Sequence, residues 1–121
     1  MAGVTDVFRV LFFFAGADGK VEDSELDVIR KFLDSNYEPG FDFDGEVGLL
    51  KGLDPESALA LMVKSIQSLD GEPEQNRRVV LEYILMLITA DGQIDDAEAR
   101  LFSLTCGIWD FNPEEFIRDY L

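Results

Sequence analysis

The chain has 121 residues, a length that one domain with a real core accounts for. Of these, 47% are hydrophobic and ten are Phe, which argues against general disorder. Twenty-five Asp and Glu against ten Lys and Arg give a net charge of −15. That balance disfavours nucleic acid and anionic lipid and favours cations or basic protein surfaces. There is no His, so the commonest general base and the favourite zinc ligand are both missing.

Helix 1 is predicted over about 5–16, with Val4, Val7, Phe8, Leu11, Phe12 and Ala15 spaced for one buried face. Gly16 and Gly19 are expected to supply positive φ at its exit. Helix 2 is predicted over about 23–35, burying Leu26, Ile29, Phe32 and Leu33. The stretch 36–53 reads as loop, because it holds Pro39, Gly40, Gly45, Gly48 and Gly52, with a short helical turn at 46–50.

Asp54-Pro55 is a good helix start, and the helix that follows should bury Leu59, Met62, Val63, Ile66 and Leu69. Gly71-Glu72-Pro73 repeats the signal and opens a helix to about residue 89, apolar almost all round at its end and therefore central. The next helix is predicted over about 96–106, stopping at Gly107, with Cys106 on its apolar side as a buried structural thiol. Asn112-Pro113 starts a last short helix carrying Phe116, Ile117 and Tyr120. No segment alternates as a strand does, so the fold expected is all-α, a single domain over 1–121.

Arg9 interrupts the apolar N-terminal stretch, and Asp6 sits where a signal peptide has positive charge. No run reaches the ~18 apolar residues of a membrane span. A soluble, cytoplasmic protein without direct membrane insertion is the expectation.

The chain also says one thing twice. Ala17-Asp18-Gly19-Lys20-Val21-Glu22-Asp23-Ser24-Glu25 returns 73 residues later as Ala90-Asp91-Gly92-Gln93-Ile94-Asp95-Asp96-Ala97-Glu98. Each copy follows an apolar stretch and precedes a helical one. Such a repeat implies two helical hairpins, each turning on an acidic glycine-containing loop and related by an approximate two-fold axis. That symmetry would gather Asp18, Glu25, Asp91 and Glu98.

The spacing matches the back half of a calcium-binding EF-hand loop, with Asp at its fifth position, Gly at its sixth and Glu at its twelfth. The front half fails, since its first and third positions would be Phe14 and Gly16 in one copy and Leu87 and Thr89 in the other. Asp42-Phe43-Asp44-Gly45 has the same defect, with Lys51 at the twelfth position. These are not EF-hands.

The motif A-D-G-x-(V/I)-x-x-x-E, twice, in an acidic all-α chain, resembles the tellurite-resistance TerB family. It is also similar to the related N-terminal domain of a membrane-anchored DnaJ-type co-chaperone. The likeness covers the layout of the whole chain and is sharp over 12–33 and 85–106. It implies a compact bundle of about six to seven helices with internal pseudo-symmetry, and a divalent-cation site at Asp18, Glu25, Asp91 and Glu98. This chain departs from the family in placing Glu22 and Asp95 where Ser or Thr is usual.

A plainer role fits the same residues. Glu22-x-x-Glu25 and Asp95-x-x-Glu98 have capping-box spacing, in which the last Glu accepts from the backbone N–H of the N-cap residue. Asp18 and Asp91 are not needed for that.

Two functions are therefore weighed. The first is a divalent-cation-binding module acting as a stress-response or regulatory scaffold. Its oxygen-only ligands favour Ca²⁺ or Mg²⁺, with Mn²⁺ third, and speak against zinc. The second is an acidic protein-protein interaction domain with no metal role. There Asp42, Asp44, Glu46, Glu72 and Glu74 would meet a basic partner, and Phe41, Phe43 or Trp109 would be its apolar anchors. No nucleophile, phosphate loop or acid-base constellation is present, so an enzyme is not expected.

Overall fold

A computed structural model describes residues 3–16, 21–36, 40–89, 94 and 96–120, with the side chain of Tyr120 left out. Among the described residues there are seven helices and no strand. They are α1 (Val4–Ala15), α2 (Asp23–Asn36), α3 (Phe43–Lys51), α4 (Pro55–Leu69), α5 (Glu74–Ile88), α6 (Asp96–Ile108) and α7 (Pro113–Tyr120). No described helix is long and apolar enough to cross a membrane.

The core is built around α1, which packs against α2, α4 and α5. Its buried set is wider than one face, because Val10 and Phe14 join Val7, Phe8, Leu11, Phe12 and Ala15. Such an all-round apolar helix is what a central position requires. The apolar end of α5 is central as expected, with Leu81, Ile84, Leu85, Leu87 and Ile88 buried. Ile29, Phe32 and Leu33 of α2 are buried too, and the Phe32 ring lies 4.0 Å from that of Tyr83.

Four expectations need correction. Residues 43–51 form a helix rather than a loop with one turn. Asp42 caps it, its carboxylate accepting from the Gly45 N–H at 3.1 Å. A Cβ at position 45 would collide with that carboxylate, so glycine here serves the cap. Phe43 then buries against Phe8, ring centroids 5.2 Å apart, and tertiary packing overrides two glycines of poor propensity.

Leu59 is 56% exposed, because the buried stripe of α4 runs through Met62, Ser65, Ile66 and Leu69 and leaves Leu59 and Val63 on its flank. Gly16 has φ −93 and needs no left-handed backbone; its N–H closes α1 on the Phe12 carbonyl.

The fourth correction concerns the end of α6. The helix runs through Gly107 to Ile108, and the left-handed residue is Asp110, φ 62. The Phe111 N–H reaches the Cys106 carbonyl at 2.8 Å, the closing bond of a Schellman motif. Glycine inside a helix costs about 1 kcal/mol, and the longer helix places Trp109 in the core. The Trp109 indole N–H donates to the Ile66 carbonyl at 2.7 Å. That carbonyl lies in the last turn of α4, where the Asp70 N–H bonds Gln67 instead, so Trp109 satisfies a helix-end acceptor.

Other starts are as the sequence implies. Asn112 caps α7 by accepting from the Glu115 N–H at 3.1 Å. Asp54 occupies the N-cap of α4, where the Ser57 hydroxyl donates to its carboxylate and lowers its pKa.

Candidate functional site

The 73-residue repeat is also a repeat of burial. Phe8, Leu11, Phe12, Phe14 and Ala15 of α1 correspond to Leu81, Ile84, Leu85, Leu87 and Ile88 of α5, and all ten are buried. Ile29, Phe32 and Leu33 of α2 correspond to Phe102, Thr105 and Cys106 of α6, again all buried. Side chains of different shape fill equivalent places. The repeat therefore persists in three dimensions as a pattern of inward-facing positions.

The helices leading into the two acidic segments are also neighbours. α1 packs on α5, and the equivalent residues Val7 and Val80 line one small cavity of about 10 Å³ together with Asn76 and Arg77.

Glu25 and Glu98 both occupy the third position of their helices, and both are half-buried, whereas Glu22, Asp23 and Asp96 are exposed. In the first copy the backward bond of the capping box is formed: the Glu22 N–H donates to Glu25 Oε1 at 2.9 Å, and the Leu26 N–H bonds the Glu22 carbonyl at 3.1 Å. The bond fixes the carboxylate over the start of α2, where the positive end of the helix dipole favours an anion. In the second copy the matching donor would be Asp95. Asp95, Asp18, Gly19, Asp91 and Gly92 lie outside the described residues. Among the described residues no three acids, Cys or His converge as a metal site.

The donor chemistry on offer suits hard cations. The lone thiol, Cys106, is buried, and burial pushes its pKa up to about 12, so it supplies no thiolate for a soft metal.

The acids proposed for a protein-docking face are largely committed elsewhere. Arg9 of α1 pairs with half-buried Glu46 at 3.3 Å. Arg30 of α2 pairs with Asp44 at 3.1 Å while its guanidinium lies 4.1 Å from the centre of the Phe43 ring. Asp42 is the α3 cap, and the expected anchors Phe43 and Trp109 are buried, with Phe41 half-buried. Periodicity alone missed these arginines. Their signal was scarcity, since the chain has only ten bases to set against 25 acids.

Comparison of the chain with protein-family models, with curated proteins and with solved structures finds no match. Its class rests on the fold and the repeat: an all-α bundle in which the buried positions of α1 and α2 recur in α5 and α6.

Proposed function

We propose that the chain is a divalent-cation-binding helical module that works as a stress-response or regulatory scaffold rather than as an enzyme. The ion would be Ca²⁺ or Mg²⁺, held by Asp18, Glu25, Asp91 and Glu98. The observation that supports this reading is the equivalent placement of Glu25 and Glu98, each half-buried at the third position of its helix, after stems α1 and α5 that pack on one another. With Asp18 and Asp91 beside these two carboxylates, one cation would lower the repulsion among all four. The resemblance of the repeated motif to the TerB family supports the same residues.

Melting in EDTA and then in added Ca²⁺ or Mg²⁺ tests it, because an ion bound only by the folded state raises Tm as mass action requires. Glu25→Gln with Glu98→Gln separates capping from ligation. Glutamine keeps the backward hydrogen bond but is a poor ligand for a hard dication. The double variant should keep its helical circular dichroism, losing about 1 kcal/mol or less through the weaker dipole interaction. It should also lose most of the ion-dependent rise in Tm. A parent protein with no rise at millimolar ion would sink the metal reading and leave the acidic interaction domain.

A further inference from the structure

We propose that Asp70-Gly71, in the turn between α4 and α5, is a modification site at which the folded chain converts aspartate to isoaspartate through a cyclic imide. The sequence holds four Asp-Gly pairs, at 18–19, 44–45, 70–71 and 91–92, and the second and third lie among the described residues. Glycine has no side chain to shield its own nitrogen, so in such a pair that nitrogen can approach the carboxyl carbon before it. The surroundings of the two described pairs decide which of them reacts.

The reaction uses no reactant other than water. The Gly71 nitrogen bonds to Cγ of the protonated Asp70 carboxyl, the Cγ–OH bond breaks, and the N–H proton leaves with the hydroxyl as water. A second water then opens the ring. Breaking the bond from nitrogen to Cγ restores aspartate, whereas breaking the bond from nitrogen to the former backbone carbonyl leaves the chain running through Cβ and Cγ. That product has a longer main chain and a free carboxylate on Cα. It changes the link between α4 and α5, where Asp70 meets Arg77 at 3.4 Å and Arg77 donates to the Glu72 carbonyl at 3.1 Å.

Attack requires the Asp70–Gly71 peptide to swing about the Asp70 Cα–C bond, away from ψ −24. Among the described residues neither the Gly71 N–H nor the Asp70 carbonyl has a hydrogen-bond partner, and one backbone bond spans the turn, from the Glu72 N–H to the Leu69 carbonyl at 3.0 Å. Asp70 and Gly71 are both exposed, so the turn can open locally without uncovering the core. Asp44-Gly45 is the opposite case. The Asp42 carboxylate holds the Gly45 N–H at 3.1 Å, and the pair lies in the first turn of α3, beside Phe43 buried against Phe8. Rotation there would undo the cap and the helix start together. The Asp44 side chain is 90% exposed and that of Asp70 51%, so exposure alone would select Asp44 and backbone freedom selects Asp70.

Asparagine forms the same imide with loss of ammonia, and opening of that imide leaves a carboxylate of higher mass, so the two positions can be compared directly. Full-length Asp70→Asn and Asp44→Asn variants with unchanged circular dichroism are held at neutral pH and physiological temperature and mapped by peptide mass spectrometry. Position 70 should convert at least about tenfold faster than position 44 in the folded chains, and in urea the two rates should come together. Adding Gly71→Ala to Asp70→Asn should slow the conversion. A Cβ at position 71 meets the Ser68 carbonyl oxygen at 4.0 Å, so the turn has room for it. In the parent chain, held in mildly acidic buffer, electron-transfer fragmentation should place isoaspartate at position 70 and not at position 44. If a variant misfolds, this measurement on the parent decides alone. Conversion at position 70 only after unfolding in urea overturns the proposal. So do equal rates at the two folded positions, or a parent in which position 70 stays aspartate.

Discussion

The two hairpins are equivalent in their buried positions and unlike in what braces them. α1 and α2 are held to α3 by two arginine–carboxylate pairs, the part-buried Arg9 on Glu46 and the exposed Arg30 on Asp44, over a cluster of Phe8, Phe41 and Phe43. α5 and α6 are held by groups that donate to backbone carbonyls. Trp109 caps the Ile66 carbonyl of α4, and Arg77 donates to the Trp109 carbonyl at 2.8 Å and the Glu72 carbonyl at 3.1 Å. The repeat thus governs the buried positions of the stems, while the braces around them use separate chemistry. One brace is charge pairing over aromatic packing, and the other is hydrogen bonding to backbone carbonyls.

Breaking the second brace should cost most. Trp109→Ala removes a fully buried indole and leaves the Ile66 carbonyl without its donor. Equilibrium urea unfolding should show a loss of about 3–5 kcal/mol. Trp109→Phe keeps most of the volume and should lose less. If both variants lose under 1 kcal/mol on the order expected of a surface change, the second hairpin does not depend on this residue.

Arg77→Met comes next. The side chain is 17% exposed and its guanidinium ties the start of α5 to the turn after α6, with Asp70 a longer contact at 3.4 Å. Methionine keeps the stem and deletes hydrogen bonds from a charged donor, worth about 1.5–3 kcal/mol each before compensation by water. A net loss of about 2 kcal/mol by urea unfolding is expected. A loss no larger than that of Arg30→Met would erase the contrast between the braces.

The stems were legible because helical spacing and the 73-residue repeat agree at Phe8, Leu11, Phe12 and Ala15, each buried together with its counterpart in α5. The capping role of Glu25 was legible from its spacing to Glu22 alone. What was not legible depended on partners distant in sequence. Gly45 and Gly48 suggested loop, and only the Asp42 cap and the Phe8 ring make that segment a helix. Gly107 looked like a stop until Trp109 had a carbonyl to reach. Leu59 fits the α4 stripe by spacing, but Ser65 occupies the inner face where α4 is buried, and the stripe turns away from Leu59. Of the four expected metal ligands, Glu25 and Glu98 are placed at equivalent helix starts, while Asp18 and Asp91 lie outside the described residues.

The thiol gives a pH-dependent test of the same buried half. Cys106 has its pKa pushed up to about 12 in the folded state from an ordinary value of 9.0. Below pH 9 the thiol is neutral in both states and contributes no pH dependence. Between about 9 and 12 the unfolded chain loses this proton and the folded one keeps it. Stability should then fall by about 1.4 kcal/mol per pH unit. Urea unfolding at successive alkaline pH values should show this slope in the parent, and Cys106→Ala should lack that part of it. Equal slopes would mean that the thiol is open to solvent.

The smallest effect belongs to the exposed pair. Asp44 is 90% exposed and Arg30 about half, so their attraction is screened by water and salt. Arg30 gains more from lying over Phe43, a contact that does not need Asp44. Asp44→Asn should therefore change stability by roughly 0.5 kcal/mol or less, and added salt should reduce even that. Removing an acid also relieves repulsion in a chain at −15, which opposes the loss of the pair and makes a slight gain the expected sign at low ionic strength. A loss above about 1 kcal/mol would show instead that the ion pair, and not the Phe43 ring, fastens α3 to the first hairpin.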